Sequence, residues 1–187
     1  MVVRHVVLVL WLIGAGYWIV SAQSSKADRR REPLATRVPF LLQMILTAVL
    51  LWPHEWRGWL DEKIVGGGWD RFWIAVAIMT LGLTLAIWAR RALGENWSGT
   101  VTVKEGHELV ESGPYRRIRH PIYTGILLMI LGTGLAGGRV HALLAFPIAL
   151  VALWLKSRLE ERWMVAEFGE RYEAYRKRSR AIIPFLL

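Results

Sequence analysis

The chain has 187 residues, a length that suits one domain, and 54% of them are hydrophobic. The apolar residues form long blocks, as in a membrane bundle, and do not alternate as in half-buried strands. The absence of cysteine excludes disulfides, zinc–thiolate sites and thiol nucleophiles. The net charge of +9 is concentrated at the ends of the apolar blocks. Because such placement orients membrane proteins, it disfavours nucleic-acid binding as the explanation of the charge.

Five apolar blocks predict about five transmembrane helices. They cover residues 6–20, 39–52, 72–89, 121–136 and 140–155. The first block is also compatible with a secretory signal peptide, with residues 20–22 as a cleavage pattern. However, its stronger basic cluster follows the block, whereas a signal peptide carries positive charge in front. A first transmembrane helix is therefore the preferred interpretation.

Lysine and arginine are unevenly distributed over the connecting loops. The loop after the second block has only Arg57 and Lys63, whereas the loops after the first and third blocks and residues 156–180 are rich in basic residues. The positive-inside rule predicts a multi-pass protein with its N-terminus outside and its middle loop and C-terminus in the cytoplasm. Residues 156–180 predict an amphipathic helix against the bundle. We expect a single membrane domain, with N-terminal helices in residues 1–90 and a core in residues 91–187.

A cation-rich hinge precedes the fourth block. Arg116, Arg117, Arg119 and His120 stand just before Pro121, whose missing N–H is harmless in a first helical turn. Lipid headgroups are the preferred partners of Arg116 and Arg117. His120 lies at a helix N-terminus, where free N–H groups favour an anion, or else it only caps the hinge. The residues alone leave both interpretations of His120 open.

A pair of acids, Glu160 and Glu161, follows the fifth block. Lys156 lies four residues before Glu160 on one helical face, so a surface ion pair would explain these residues. Alternatively, the two adjacent carboxylates repel each other, and a cationic ligand would relieve that repulsion. Gly132-Thr133-Gly134 also has two interpretations, helix packing or a Gly-x-Gly cofactor site, and packing is preferred.

Several motifs occur in a fixed order between residues 97 and 184. They are Lys104-Glu105-Gly106-His107-Glu108-Leu109-Val110, Gly113-Pro114-Tyr115, Arg119-His120-Pro121-Ile122-Tyr123-Thr124-Gly125, Glu160-Glu161, Phe168-Gly169-Glu170-Arg171-Tyr172-Glu173-Ala174-Tyr175 and Ile183-Pro184. This ordered set resembles the C-terminal core of the isoprenylcysteine carboxyl methyltransferase family of integral-membrane enzymes, as a prokaryotic member. The resemblance covers about half of the chain and does not include the first two blocks.

The resemblance implies an all-α integral membrane protein that uses S-adenosylmethionine as methyl donor and releases S-adenosylhomocysteine. It implies a cytoplasm-facing cofactor site built from the loop before the fourth helix and the C-terminal helix, with no metal. The implied cofactor-binding residues are His107, Glu108, Leu109, Val110, Tyr115, His120, Pro121, Ile122, Tyr123 and Glu160. Glu160 suits the ribose or the methionyl ammonium, and His120 suits the methionyl carboxylate.

The resemblance also implies catalytic roles for Lys156 and Glu160 and substrate-binding roles for Lys156 and Arg119. Lys156 stands where eukaryotic prenylcysteine methyltransferases carry an arginine for the substrate carboxylate, so the charge is kept and the bidentate geometry is lost. Thr102 stands where those members carry a glutamine. Both differences bear on the prenylcysteine substrate and not on the donor.

The chemistry favours a particular kind of acceptor. Methyl transfer to a carboxylate needs positioning and desolvation but no general base, whereas an amine or hydroxyl acceptor needs one. His120 and Glu161 are the candidate bases, and nothing marks either, so we expect carboxyl methylation of a lipophilic acceptor from the bilayer. The alternatives are a phospholipid or other N- or O-methyltransferase, an NADPH-dependent enzyme of the sterol-reductase type, and a non-catalytic module whose tail binds anionic membrane lipids.

Overall fold

A computed structural model describes residues 2–23, 26–52 and 56–182, so the Ile183-Pro184 motif lies outside the described residues. The helices are α1 (Val2–Ala22), α2 (Leu34–Leu51), α3 (Trp69–Leu93), α4 (Pro121–Gly137), α5 (Val140–Phe168) and α6 (Glu170–Arg178). Two short strands, β1 (Asp28–Arg31) and β2 (Thr102–Lys104), pair antiparallel. Short 3-10 turns occupy Gly58–Asp61, Gly94–Asn96 and Gly113–Arg116.

Four helices, α1, α2, α3 and α5, are long and apolar enough to cross a membrane, and α4 is a shorter apolar helix. The prediction of an all-α integral membrane fold is confirmed, with α4 as its short member. Large apolar side chains of α1 and α2 point outward, among them Leu12, Ile19, Leu42 and Ile45. A continuous apolar exterior of this kind suits contact with lipid chains and not with water.

Helices α3 and α4 approach each other through glycines. A Cβ built on Gly125 would lie 2.5 Å from the carbonyl oxygen of Gly82, and one on Gly132 would lie 2.7 Å from that of Ala75. No side chain fits at such distances, so these glycines set the separation of the two helices. The packing interpretation of Gly132-Thr133-Gly134 agrees with this geometry, since a Cβ on Gly134 would also lie 2.7 Å from a carbonyl oxygen, here in α5.

Helix α5 runs through 29 residues without interruption. The apolar pattern predicts that this span ends near residue 155 and that a separate amphipathic helix follows, and that boundary is wrong. The helix continues to Phe168 and ends at Gly169, whose φ is 54°. Charged side chains do not end a helix that leaves the membrane, whereas a glycine with positive φ does. Glu160 and Glu161 therefore belong to the same helix as the apolar span.

The β1–β2 pair ties the α1–α2 connection to the segment between α3 and α4. Arg31 lies opposite Thr102 in this pair. Next to it, the Glu32 N–H donates to the Val101 carbonyl at 3.0 Å, and the Val101 N–H donates to Glu32 Oε1 at 3.1 Å. The sequence predicts extended structure in residues 96–103 but gives no sign of its partner, because the basic residues of β1 resemble an ordinary cytoplasmic loop.

At the opposite end of the bundle, the loop between α2 and α3 covers the α4–α5 turn. The Gly138 carbonyl accepts the N–H groups of Ile64 and Val65 at 3.1 and 3.2 Å. Arg139 forms an ion pair with Asp61, with 2.6 Å between Nη1 and Oδ2. This end of the molecule is held by backbone hydrogen bonds and an ion pair between its loops.

Candidate active site

The hinge before α4 is held by residues 180–182, the last that the structure describes. The Arg119 N–H donates to the Arg180 carbonyl at 2.7 Å, and the His120 N–H donates to the Ala181 carbonyl at 2.9 Å. Because both backbone donors are satisfied there, the hinge has a defined conformation although it belongs to no helix or strand. Residues 180–182 thus hold the backbone of His120 in a position where its side chain is buried.

His120, which is buried, and the partly buried Glu160 and Tyr123 form a polar cluster between α4 and α5. His120 Nδ1 lies 3.3 Å from Glu160 Oε2, and the Tyr123 hydroxyl donates to Glu160 Oε1 at 2.5 Å. The rings of His120 and Tyr123 are stacked, with 5.4 Å between centroids and 5° between planes. The hinge and the first of the two acids, which are 40 residues apart in the sequence, therefore lie next to each other, as the family resemblance implies.

Glu161, the second acid, has different partners. Its Oε1 accepts the Arg119 Nε–H at 2.7 Å, and its Oε2 lies 3.4 Å from Arg176 Nε. His120 Nε2 lies 3.4 Å from Glu161 Oε1, but the angles do not make a hydrogen bond, and this nitrogen has no other hydrogen-bond partner among the described residues. Glu161 is only 4% exposed. The two adjacent acids therefore occupy separate environments.

Burial and charge act on His120 in opposite directions. Burial disfavours the imidazolium and lowers its pKa, whereas polar contacts with the Glu160 and Glu161 carboxylates and their negative charges raise it. The carboxylates prevail, so the pKa of His120 lies above its ordinary value. The ring is thereby shifted toward its protonated form, which binds anions and is a poor general base near neutral pH.

A cavity of about 330 Å³ opens beside this cluster. It is lined by all the sequence-predicted site residues except one: His107, Glu108, Leu109, Val110, Tyr115, Arg119, His120, Ile122, Tyr123, Lys156 and Glu160. The exception is Pro121, which is fully buried as the first residue of α4. Three separated parts of the chain therefore converge on one space: the loop before the hinge, the hinge with the start of α4, and α5.

The loop that carries residues 107–110 is positioned by hydrogen bonds to Asn96. Asn96 Oδ1 accepts the Glu108 N–H at 3.3 Å and a proton of Lys26 Nζ at 3.4 Å. Lys26 Nζ also donates to the Gly106 carbonyl at 3.2 Å. The residues 107–110 have no regular secondary structure. These contacts, which link the loop to the α1–α2 connection, therefore determine where this wall of the cavity lies.

Lys156 lies one helical turn before Glu160. Its Nζ donates to the Gly99 carbonyl at 3.0 Å and lies 4.5 Å from the Phe40 ring centroid and 5.6 Å from that of Tyr123. Within residues 2–23, 26–52 and 56–182 it forms no ion pair, which disagrees with the surface-pair interpretation of Lys156 and Glu160. An ammonium with aromatic neighbours and no carboxylate partner is suited to an anionic ligand.

Arg119 also lines the cavity, but its guanidinium is engaged inside the protein. Besides the bond to Glu161, its Nη1 donates to the Ser179 carbonyl at 2.6 Å and to the Arg176 carbonyl at 3.3 Å. The Arg119 side chain is 10% exposed. This arrangement favours Lys156 over Arg119 as the cation that faces a ligand.

Several lining residues are not identified by the sequence. They are Trp18 of α1, Phe40 and Met44 of α2, Asn96, Trp97, residues 98–101, Leu93, Ile126, Leu153, Met164, and Tyr172 and Tyr175 of α6. Thr102, which the resemblance places at a glutamine position, also lines the cavity. A helical repeat marks Tyr172 and Tyr175 as one face, and both are buried. No sequence signal separates Trp18, Phe40 or Met44 from lipid-facing residues, because an apolar residue on a membrane helix has the same pattern in both environments.

The fold is that of an integral membrane protein, with a cavity at one end of its helical bundle. In the part of the chain that the structure describes, no group of three or more His, Asp or Glu side chains is placed to hold a metal ion. A comparison with known families matches residues 70–171 to the phospholipid methyltransferase family. This match covers more than half of the sequence, and the chain belongs to that family.

Two curated relatives are similar to part of this chain. The protein-S-isoprenylcysteine O-methyltransferase of Schizosaccharomyces pombe is 33% identical over 115 residues, which cover 60% of this chain and 49% of the relative. The cobalt-zinc-cadmium resistance protein CzcN of Cupriavidus metallidurans is 34% identical over 121 residues, which cover 63% of this chain and 54% of the relative. The chain spans about half the length of these relatives. The resemblance to the isoprenylcysteine carboxyl methyltransferase family is confirmed.

A solved structure has a similar fold. The eukaryotic intramembrane Ras methyltransferase ICMT, an isoprenylcysteine carboxyl methyltransferase, aligns with a TM-score of 0.52 and 24% identity. The alignment covers 82% of this chain and 50% of that one. At this identity the likeness establishes the arrangement of the helices and not the chemistry.

Proposed function

We propose that this chain is an S-adenosylmethionine-dependent methyltransferase of the EC 2.1.1 class that methylates a carboxylate on a lipophilic acceptor. The observation that carries the proposal is the meeting of His120, Glu160 and Tyr123 beside a cavity that residues 107–110 also line. The family description and the name of the Schizosaccharomyces pombe relative support methyl transfer as the reaction.

The residues of the cavity fit the donor in size and chemistry. The volume lies at the lower end of the range for small-molecule sites, about 300–1,000 Å³. Trp97, Tyr115 and Val110 supply aromatic and aliphatic surface for an adenine ring. His120 lines the cavity and is held toward its protonated form, which suits the methionyl carboxylate, and Glu160 suits the ribose or the ammonium. When bound, the donor would supply a methyl group already activated on a sulfonium.

The protein's own contribution is positioning, charge and the exclusion of water. Glu160 is held from two sides by His120 and Tyr123, so its carboxylate has a fixed direction. Lys156, beside the Phe40 and Tyr123 rings, would hold the acceptor carboxylate. Apolar walls around that ammonium remove water from the nucleophile, which strengthens the ion pair and favours displacement. No proton has to move, because a carboxylate is ionised at neutral pH.

The acceptor would combine an anionic head with an apolar tail. The side of the cavity formed by Trp18, Phe40, Met44, Ile126 and Leu153 is apolar. The name of the relative points to isoprenylcysteine carboxyl groups, on a protein or on a small molecule, as the acceptor class. We place this site on the cytoplasmic side of the membrane, where the basic loops lie.

Amine methylation of a phospholipid is a second candidate, which the family description favours. An amine acceptor must lose a proton, so it requires a base in the site. His120 is held toward its protonated form, and Glu160 already accepts the Tyr123 hydroxyl. Because neither group is free to take a proton, the geometry supports the carboxylate acceptor more strongly.

Ligand titrations and product analysis test the proposal. Purified protein in nanodiscs is titrated with S-adenosylhomocysteine and, separately, with NADPH. It is then incubated with radiolabelled S-adenosylmethionine and either a prenylcysteine, a fatty acid or phosphatidylethanolamine. We expect S-adenosylhomocysteine to bind, Glu160→Gln to weaken it, and the labelled product to be a base-labile ester. Tighter binding of NADPH, or a base-stable methylamine product, would overturn the proposal.

A further inference from the structure

The two adjacent acids do not face the same space. Glu160 lines the cavity, whereas Glu161 is buried and does not line it. In the described part of the chain, the basic groups within 4 Å of the Glu161 carboxylate belong to the hinge, through Arg119 and His120, or to α6, through Arg176. Glu161 therefore lies between the hinge and α6 and not between the hinge and a ligand.

We infer that Glu161 is a positioning residue that locks the hinge onto the C-terminal segment, residues 170–182, and so acts on the donor site through Arg119 without touching the ligand. The inference rests on the proposed function, because it concerns the geometry of the donor site. It gives the two acids separate tasks, ligand contact for Glu160 and cross-linking for Glu161.

The first step of the argument is the Arg119 side chain. Its Nε is bound to Glu161, and its Nη1 is bound to the Ser179 and Arg176 carbonyls. One guanidinium thus joins α5, the hinge and the end of α6. With a side chain only 10% exposed, Arg119 depends on Glu161 for neutralisation, because water cannot replace a missing carboxylate there.

The second step is the balance of charge around Glu161. Arg119 and Arg176 both approach its carboxylate, and His120 Nε2 lies 3.4 Å away. Glu173 also pairs with Arg176, at 3.0 Å, but its side chain is half-exposed, and among the described residues it forms no ion pair with the hinge. Loss of Glu161 would leave cationic groups facing each other, whereas loss of Glu173 would not.

The third step is what the C-terminal segment supports. The Arg180 N–H donates to the Arg117 carbonyl at 2.9 Å, and the Thr124 hydroxyl donates to the Ile182 carbonyl at 2.5 Å. The Tyr175 hydroxyl donates to the Tyr115 carbonyl at 2.6 Å, and both tyrosines line the cavity. Loosening of the C-terminal segment would therefore disturb both the hinge and the part of the cavity wall that Tyr115 and Tyr175 form.

Hydrogen–deuterium exchange of the ligand-free protein in nanodiscs tests the cross-link. The peptides of interest contain residues 117–124 and 172–182. We expect Glu161→Gln to speed exchange in both by about tenfold. Glu173→Gln, the matched acid on Arg176, should leave exchange in both peptides at the wild-type rate. Glu160→Gln removes a partner of His120 and Tyr123, so it serves as a control only for residues 172–182, where exchange should stay at the wild-type rate.

Binding of S-adenosylhomocysteine tests the route through Arg119. Glu161→Gln should raise the Kd about tenfold, and adding Arg119→Lys should raise it no further. Glu160→Gln should instead add its full effect to that of Arg119→Lys. Glu161→Asp, which keeps the charge, should recover part of the affinity. If Glu161→Gln does not fold, Arg176→Gln should produce the same pattern to a smaller degree.

Two results would overturn the inference. They are wild-type exchange in the Glu161→Gln protein, and full additivity of Glu161→Gln with Arg119→Lys, which would indicate direct ligand contact. Failure of the wild-type protein to bind S-adenosylhomocysteine would instead contradict the proposed function. The exchange comparison would still decide the role of Glu161 in that case, because it needs no ligand.

Discussion

His120 shows how this protein keeps a charged group inside an apolar bundle. Burial alone favours the neutral imidazole, and the opposing contribution comes from two carboxylates on one turn of α5. The charged and titratable groups around the ring are Glu160 and Glu161 from α5, Tyr123 from α4 and Arg119 from the hinge. The site is thus a balanced cluster and not an isolated histidine.

This balance predicts a dependence of stability on pH. Because the pKa of His120 is higher in the folded protein than in the unfolded chain, its contribution to stability is complete below pH about 6.5. It is lost as the pH rises through the folded-state value. We therefore expect the Tm difference between wild type and His120→Asn to be larger at pH 6 than at pH 9. A difference that grows with pH would contradict the raised pKa.

Lys156 offers a test of how the acceptor is held. Lys156→Met removes the ammonium that contacts the Gly99 carbonyl and lies near the Phe40 ring. We expect the KM for a carboxylate acceptor to rise at least about tenfold, while the KM for the donor changes less than about twofold. Lys156→Arg is the control, since it keeps the charge. An equal rise in both constants would place Lys156 against the donor instead.

At the scale of the elements, the α3–α4 contact is the most constrained. Gly125→Ala places a methyl group where the Gly82 carbonyl and the Ala86 Cβ already lie. Since two helix backbones must separate to admit it, we expect a loss of about 1–3 kcal/mol in the free energy of unfolding, measured by equilibrium denaturation in mixed micelles. Gly16→Ala in α1 is the control, because no described atom outside its own helix lies within 4 Å of a Cβ built there. A similar loss in both variants would contradict this role of Gly125.

The elements also show what the sequence can and cannot predict. Apolar blocks reveal the membrane helices, because lipid requires long uncharged runs. The extent of α5 is missed, since its charged part has no apolar pattern and only Gly169 marks its end. The partner of β2 is missed as well, because strand pairing between distant segments leaves no local signal. The site residues carry recognisable motifs, whereas Trp18 and Phe40 join the cavity only through tertiary packing.

At the scale of the whole molecule, the site depends on segments outside residues 70–171, the part matched by the family. The α1–α2 connection holds the cavity wall through Glu32, whose carboxylate accepts the Val101 N–H and the Thr36 hydroxyl. The C-terminal segment holds the hinge through Arg180 and Ala181. The α1–α2 connection and the C-terminal segment therefore both help to shape the cavity.

Glu32 provides a prediction about how the α1–α2 connection holds the cavity wall. Glu32→Ala leaves the buried Val101 N–H without its acceptor, so we expect a loss of about 1–3 kcal/mol in the free energy of unfolding. Glu32→Gln retains an acceptor at the same place and should lose less. Glu105→Ala removes an exposed side chain nearby and serves as the control. Thermal unfolding followed by tryptophan fluorescence would measure all three variants. Equal Tm values for Glu32→Ala and Glu105→Ala would contradict a stabilising role of the Glu32–Val101 hydrogen bond.

The absence of cysteine makes the proposed orientation directly measurable. Gly66→Cys and Lys177→Cys each introduce a single thiol at an exposed position, one in the loop before α3 and one in α6. With the N-terminus outside, a membrane-impermeant maleimide should label position 66 in intact cells and position 177 only after permeabilisation. The reverse pattern would place the cavity on the outer side.

Helix α5 joins the turn at one end of the bundle to the acids at the other. With a rise of about 1.5 Å per residue, Glu160 lies about 30 Å along the axis from Val140, close to the thickness of a bilayer's hydrocarbon layer. A rigid rod of that length tilts when the surrounding acyl chains are short. Tilting of α5 would draw Glu160 away from His120, which lies directly before the shorter helix α4. Acyl-chain length should therefore change the rate of the proposed methyl transfer, with the lowest rate in thin membranes.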